Sequence, residues 1–187
     1  PDPDCPPHFY ARGNNPQFPY FGRLMRYLNR VCHLLNGGVH RSCAAVLYTA
    51  ELEWIDWDAM QFETVGRILA QNQVDYEVLP VDILPSLSIC CGKLVCGAPG
   101  YDENAHMDRE AVQALVIPAC PFVPRKLADW CRKAAGEGFS VICVDTLPAI
   151  LEEDGAVTAW KEWEPEVIPL EELGEAMKKR AAQIRLS

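Results

Sequence analysis

The stretch CAAVLYTA (43–50) is a continuous apolar run that is too short for a helix in this context. It predicts a strand buried on both faces, which is typical of the centre of a parallel sheet. Three later runs, VDYEVLPVDIL (74–84), AVQALVIPA (111–119) and FSVICVD (139–145), predict a second, a third and a fourth strand. EVIPL (166–170) predicts an edge strand.

Amphipathic segments between these runs predict the helices. We expect helices at 58–72, 124–136 and 171–184, with Trp130 of the second facing inward. Strands that alternate with helices predict a parallel sheet covered on both faces, because the crossovers are right-handed. We therefore predict an α/β fold of the flavodoxin-like kind, a doubly wound parallel sheet with strand order 2-1-3-4-5.

An N-terminal segment and a helix precede the first strand. Residues 1–19 are rich in Pro, Asn and Gly and have no periodicity, so we expect an extended lead-in from a preceding domain. Residues 20–36 have the spacing of an amphipathic helix, and we assign 20–187 to a single α/β domain. The apolar stripe of this helix requires the sheet, a preceding domain or another copy of the chain to cover it.

Composition excludes several classes of protein. The chain has 187 residues and a formal net charge of −9, which argues against nucleic-acid and anionic-membrane binding. No apolar run approaches the roughly 18 residues of a membrane span. The nine cysteines are odd in number and form no Cys-x-x-Cys pair, so we expect reduced thiols in a cytoplasmic protein. The start, Pro-Asp-Pro-Asp, lacks a signal-peptide pattern and suits an excised piece of a larger protein.

Candidate ligand-binding residues follow the first strand, because doubly wound sheets bind ligands at the carboxyl ends of their strands. They are Tyr48, Glu51, Glu53 and Trp54. Carboxylates accept hydrogen bonds from sugar hydroxyls, and an indole stacks on the C–H face of a sugar ring. The alternative is a solvated loop in which Trp54 is a half-buried anchor.

Glu51 and Glu53 also raise the question of glycosidase catalysis, which needs two carboxyls at a set separation across a bond. Residues two apart point to opposite faces if the strand continues, so we do not expect this pair to be catalytic. No Gly-x-Gly-x-x-Gly motif and no Ser/Thr-rich phosphate loop follows the strand. We therefore expect neither a dinucleotide nor FMN, and no cofactor.

Two further candidates lie at later strand ends. Cys120 follows the third strand, where class I glutamine amidotransferases place a nucleophile. Pro121 comes next and lacks the N–H that would serve an oxyanion hole, so a nucleophilic role is not expected. Asp145 ends the fourth strand. We keep Cys120 and Asp145 as candidate ligand-binding residues.

One metal-like cluster and one aromatic pair remain. The cluster is Cys90, Cys91, Cys96 and His106, whose spacing lies outside the usual zinc knuckle, so we expect no metal. The pair is Trp160 with Trp163, within AWKEWEPE (159–166). It forms either a sugar-stacking or interface patch, or packing on the sheet edge.

Four stretches together resemble a known group of proteins. They are NPQFPYFGRLMRYLNRVCHLLNGGVH (15–40), AAVLYTAELEW (44–54), ALVIPACPFVP (114–124) and GFSVICVDTLP (138–148). They resemble the segment that follows the catalytic barrel in large bacterial glycoside hydrolases similar to family 106 α-L-rhamnosidases. The layout also resembles the trimerisation domain of family 42 β-galactosidases, which has a class I glutamine amidotransferase-like, flavodoxin-type fold. Residues 86–110 depart from this pattern.

This resemblance implies a non-catalytic accessory domain of a carbohydrate-active hydrolase. In those families the acid and base carboxylates are generally on the barrel, which would precede residue 1. The implied partners are that barrel and other copies of the chain. Two alternatives stay open: a carbohydrate-binding module that uses the 48–57 loop, and a thiol-dependent, amidotransferase-like hydrolase that uses Cys120.

Overall fold

A computed structural model describes most of the chain. It covers residues 15–37, 42–48, 50, 54, 59–96 and 110–184. Backbone contacts divide the chain into two compact units, Pro1–Gly38 and Val39–Ser187. The predicted lead-in, 1–19, lies mostly outside the described residues.

The first unit contains helix α1 (Phe18–Leu35), which confirms the helix predicted at 20–36. Pro19 lies in its first turn, where a missing backbone N–H costs nothing because that N–H has no partner within the helix. None of the side chains of α1 is buried. Neither α1 nor any other helix in the described ranges is long and apolar enough to cross a bilayer.

The second unit alternates strands and helices. In chain order its described elements are β1 (Ala44–Tyr48), α2 (Phe62–Gln71), β2 (Tyr76–Pro80), a 3-10 helix (Leu84–Ser86), β3 (Ser88–Cys90), β4 (Lys93–Cys96), β5 (Glu110–Val112), β6 (Ala114–Ile117), β7 (Phe122–Pro124), α3 (Arg125–Gly136), β8 (Ser140–Val144), β9 (Ala149–Leu151), β10 (Val157–Thr158), β11 (Glu166–Ile168) and α4 (Leu170–Ile184).

Five of these strands form the central sheet, in the order β2-β1-β6-β8-β11. Every neighbouring pair is parallel. Counted along the chain, this is the order 2-1-3-4-5, so the predicted flavodoxin-like, doubly wound fold is confirmed. The strand predicted at 166–170 is the fifth parallel strand and lies at the sheet edge.

The central strands are buried on both faces, as the continuous apolar runs predict. On one face of the sheet, Ala45, Leu47 and Leu115 pack against α3. The buried residues that α3 contributes to this layer include Leu127 and Cys131. Residues one position away along the strands face α2 and α4 on the opposite side, and they include Ala44, Val46, Ala114, Val116 and Ile142. The alternation is the two-residue period of a strand, and it gives the sheet one apolar layer on each side.

Two small sheets accompany the central one. One has the order β3-β4-β5 and the other the order β10-β9-β7. The third strand predicted at 111–119 is confirmed as β6, but its bounds are wrong, because residues 110–112 form β5 and a break at Gln113 separates the two strands. The Gln113 N–H donates to the carbonyl of Cys43 at 3.0 Å, and β5 turns away to pair with β4.

The turn between β3 and β4 needs two residues with positive φ. Cys91 has φ of 52° and Gly92 has φ of 71°. These are the values of a type I′ turn, which matches the right-handed twist of a two-residue hairpin. Gly92 also lies close to the end of α3, since a Cβ added to it would lie 2.8 Å from the carbonyl oxygen of Gly138.

We expect Gly92→Ala to lower the free energy of unfolding by about 1–3 kcal/mol. The loss has two causes, the positive φ and the clash with the Gly138 carbonyl. Gly155→Ala is the matched control, because Gly155 has φ of 85° but nothing within 4 Å of an added Cβ. Urea unfolding of both variants measures the clash as the difference between them. Equal losses would show that the close approach does not exist.

Candidate functional site

The candidate ligand-binding site of this fold lies at the carboxyl ends of the central strands. The chain leaves β1 at Tyr48 and moves to one side of the sheet, and it leaves β6 at Ile117 and moves to the other. The point between β1 and β6 is therefore the topological switch point, where doubly wound sheets bind ligands. Candidates Tyr48, Cys120 and Asp145 lie at or just after strand ends on this edge.

The residues after β1 are described only in part. Tyr48 is partly exposed and its ring packs edge-on against Phe62, with centroids 5.2 Å apart. Ala50 and Trp54 are helical, and the Trp54 side chain is 80% exposed. The interpretation of Trp54 as a half-buried anchor is therefore wrong. Glu51 and Glu53 lie outside the described residues.

Glu51 and Glu53 would point to opposite faces only if the strand continued past Tyr48. The strand does not continue, since β1 ends at Tyr48 and Ala50 is already helical. Alternation along a strand thus gives no information about Glu51 and Glu53. Their roles in ligand binding stay predictions, as does that of Trp54.

The protein's own backbone bridges the switch point. The N–H of Met60, before α2, donates to the carbonyl of Ala119, after β6, at 2.8 Å. The side chains of Ala59 and Cys120 are buried beside Leu47 and Leu79 in one apolar cluster. A main-chain hydrogen bond thus joins the chain after β1 to the chain after β6, with buried apolar side chains next to both of its residues.

Cys120 is buried in this cluster, with 5% of its surface exposed. Burial raises the pKa of its thiol to about 12, because a thiolate there would lose its hydration. A thiol needs a low pKa and access to substrate to act as a nucleophile, and Cys120 has neither. Cys143, predicted to be a core residue, is buried beside it, and burial likewise raises its pKa to about 12.

Asp145 joins two elements at the strand edge. One carboxylate oxygen, Oδ1, accepts a hydrogen bond of 2.7 Å from the backbone N–H of Leu170, the first residue of α4. The backbone N–H of Asp145 donates to the carbonyl of Ile168 at 3.0 Å. The first N–H groups of a helix have no partner within it, so Asp145 stabilises the start of α4. Ligand binding by Asp145 stays a prediction.

The aromatic pair is part of the protein's packing. Trp160 is buried and its indole Nε1–H donates to the carbonyl of Pro148 at 2.6 Å. The ring of Trp163 packs edge-on against it, with centroids 5.8 Å apart. Of the two interpretations of this pair, the structure supports packing beside the sheet.

An ion pair holds the small sheet β7–β9–β10 to α3. Glu152 accepts hydrogen bonds from the Arg125 guanidinium, one of them 2.7 Å from Nε, and from the Thr158 hydroxyl at 2.7 Å. These donors favour the charged carboxylate and lower the pKa of Glu152 to about 2. The Arg125 hydrogen bonds contribute most.

This ion pair should make stability depend on pH in acid. A lowered folded-state pKa means that the contribution is complete above pH about 4.5 and is lost as pH falls towards 2. We expect Glu152→Gln to be less stable than the wild type at neutral pH, and the difference in melting temperature to shrink across this window. A difference that stays constant between pH about 4.5 and 2 would contradict the pairing.

The metal-like cluster is only partly described. Cys90 and Cys91 are exposed, with their sulfur atoms 3.9 Å apart. The side chain of Cys96 and all of His106 lie outside the described residues. Within the part of the chain that is described, no three His, Cys, Asp or Glu side chains are placed to hold a metal ion.

Comparisons with known proteins found one solved structure that is similar to this chain. No protein-family model matches the chain, and no curated protein matches it. Among solved structures, the chain is similar to the apo exo-carrageenase GH42 from Bacteroides ovatus, with 15% sequence identity and a TM-score of 0.49. The match covers 78% of this chain and 18% of that one, so this chain spans less than a fifth of its length.

Proposed function

We propose that this chain is a non-catalytic accessory domain of a larger glycoside hydrolase, and that it supports the catalytic barrel or the assembly of the enzyme. The hydrolase class rests on the resemblance of residues 14–150 to segments that follow such barrels. The absence of catalysis is supported by the bridged switch point and by the buried Cys120, whose pKa of about 12 disfavours the thiolate.

The apolar arc of α1 carries the docking part of this proposal. At 100° per residue, the apolar side chains of α1 fall on one side of the helix and its arginines on the other. The exposed members of the arc include Tyr20, Leu24, Tyr27, Leu28 and Leu35. A continuous exposed apolar patch is typical of a surface that another protein covers.

The charge of α1 favours a protein partner with an acidic rim. The helix contains Arg23, Arg26 and Arg30 and no carboxylate, whereas the whole chain has a net charge of −9. In the proposed assembly the apolar arc packs against the preceding barrel or a second copy. The arginines then lie beside the contact, where they pair with carboxylates at its edge.

Hydrogen exchange of the α1 amides tests this role. At a concentration at which the isolated chain is monomeric, α1 should exchange rapidly, because an 18-residue helix without buried side chains is marginal in water. In the longer natural protein the partner should slow this exchange by about tenfold or more, since each buried Leu contributes roughly 1.5–3 kcal/mol.

Two neighbouring substitutions give a matched comparison. Leu28→Asp adds a charge to the apolar arc, and Asn29→Asp adds the same charge to the opposite face. Leu28→Asp should abolish the slow exchange in the longer protein, and Asn29→Asp should retain it. Equal protection of α1 in both proteins, or a natural gene without a barrel before residue 1, would contradict the proposal.

A further inference from the structure

A groove runs along α3. It consists of two adjoining cavities of about 360 and 640 Å³, which share Pro85, Lys126 and Trp130. One side is α3, and the other is the chain from Val81 to Ile89. The volumes lie within the roughly 300–1,000 Å³ that is usual for small-molecule sites. We call this feature the Trp130 groove.

Trp130 lies at the centre of the groove, since it lines both cavities. The prediction that it faces inward is therefore correct only in part. Its indole packs edge-on against the buried ring of Phe139, with centroids 6.1 Å apart, and the partly buried side chain also lines the groove. This packing holds the ring in place before any ligand arrives, which lowers the entropy cost of binding.

The wall around Trp130 is apolar near the 3-10 helix. Val81, Leu84, Pro85 and Leu127 line the smaller cavity with it. Leu84 and Leu127 are fully buried, so they form a fixed floor. A ligand for this cavity therefore needs an apolar face of its own.

Charged groups of both signs line the groove. Lys126 and Lys133 lie on the face of α3 that carries Trp130, with Asp82 in the smaller cavity and Glu137 in the larger one. Within the described ranges, neither lysine lies within ion-pair distance of a carboxylate. Two cations and two carboxylates give a lining without net charge.

The apolar wall and the four charged groups together favour one class of ligand over others. A polyanion would meet the carboxylates of Asp82 and Glu137, and a wholly apolar segment would remove four charged groups from water without partners. A pyranose ring has an apolar C–H face for the indole and hydroxyls that both donate and accept hydrogen bonds. Ammonium groups supply the donors and carboxylates the acceptors for such hydroxyls.

We propose that the Trp130 groove binds a neutral oligosaccharide, with one sugar ring stacked on Trp130 and its hydroxyls bonded to Lys126 and Asp82. None of the residues that line the groove belongs to the 48–57 loop or to α1. Its existence does not depend on the accessory role, so either proposal can fail without the other.

Affinity electrophoresis in gels that contain neutral galactan, arabinan or xyloglucan tests the proposal. We expect at least one of these polysaccharides to retard the chain, and added salt to leave the retardation unchanged. A soluble oligosaccharide of that polysaccharide is then titrated by calorimetry. Trp130→Ala should weaken binding about tenfold or more, because stacking is lost.

Two further variants keep the test independent of folding. Asp82→Ala changes an exposed side chain, so it should leave the melting temperature unchanged and still weaken binding severalfold. Trp54→Ala removes the exposed indole of the other candidate site and should have no effect. The proposal is overturned if no neutral polysaccharide retards the chain or if Trp54→Ala has the effect expected of Trp130→Ala. Preferential, salt-sensitive retardation by sulfated galactan, or binding only of an apolar peptide, would also overturn it.

Discussion

Trp160→Ala should lower the free energy of unfolding by about 3–5 kcal/mol, the usual cost of truncating a buried aromatic side chain. Trp160 belongs to the apolar cluster that includes Ile150 and Val123 of the small sheet β10-β9-β7 and Leu127 of α3. Its removal leaves a cavity where the small sheet meets the rest of the domain. It also leaves the carbonyl of Pro148 without the indole N–H.

Trp160→Phe separates these two effects. Phe retains most of the apolar volume but cannot donate to Pro148, so we expect a smaller loss of about 1–3 kcal/mol. Trp163→Ala is the second comparison, because Trp163 is only partly buried and should cost less than Trp160→Ala. Urea unfolding of all three variants gives the values. A loss below about 1 kcal/mol for Trp160→Ala would contradict the packing described here.

Alkylation of Cys120 by iodoacetamide in the native protein should be at least about 100-fold slower than that of Cys32 at pH 8. An ordinary thiol with pKa about 8.5 is roughly one quarter thiolate at this pH. Burial raises the pKa of Cys120 to about 12, which leaves about one thiolate in ten thousand. The side chain is also buried, whereas Cys32 is exposed on α1.

Mass spectrometry of the labelled peptides measures this ratio for each cysteine. Cys131 and Cys143 are buried too and should label as slowly as Cys120. In concentrated urea the differences should disappear, because all thiols become accessible. Rapid, pH-dependent labelling of Cys120 ahead of Cys32 would instead support the amidotransferase-like alternative.

The central sheet could be predicted because its signal is local. Runs such as Ala44–Leu47 and Val141–Val144 are short and apolar at every position, which is typical of a strand covered on both faces. With helical patterns between the runs, right-handed crossovers leave few arrangements. The strand order 2-1-3-4-5 follows from these features.

The small sheets could not be predicted, because their strands are very short and form through pairing that the apolar pattern does not contain. β10 is only Val157–Thr158, within an acidic segment, and it exists because it pairs with β9. The break at Gln113 likewise reflects pairing of β5 with β4, which the apolar pattern of 111–119 does not contain.

In the candidate site, too, features with a local sequence signal could be predicted and contacts between distant parts of the chain could not. The argument from Pro121 against a nucleophilic Cys120 is local, and the burial of Cys120 agrees with it. The contact of Asp145 with Leu170, 25 residues later, has no local signal. The sequence does not predict the Trp130 groove, because Asp82 comes from a segment distant along the chain from α3, although the spacing of Lys126, Trp130 and Lys133 places them on one helix face.

Glycoside hydrolysis by the purified chain tests the proposal that this chain is a non-catalytic accessory domain. The chain is incubated with aryl galactosides, rhamnosides and glucosides, and release of the aryl group is compared with buffer alone. We expect no release above the buffer rate for any substrate. Saturable turnover at an enzyme-like rate that Glu51→Gln or Glu53→Gln abolishes would contradict it.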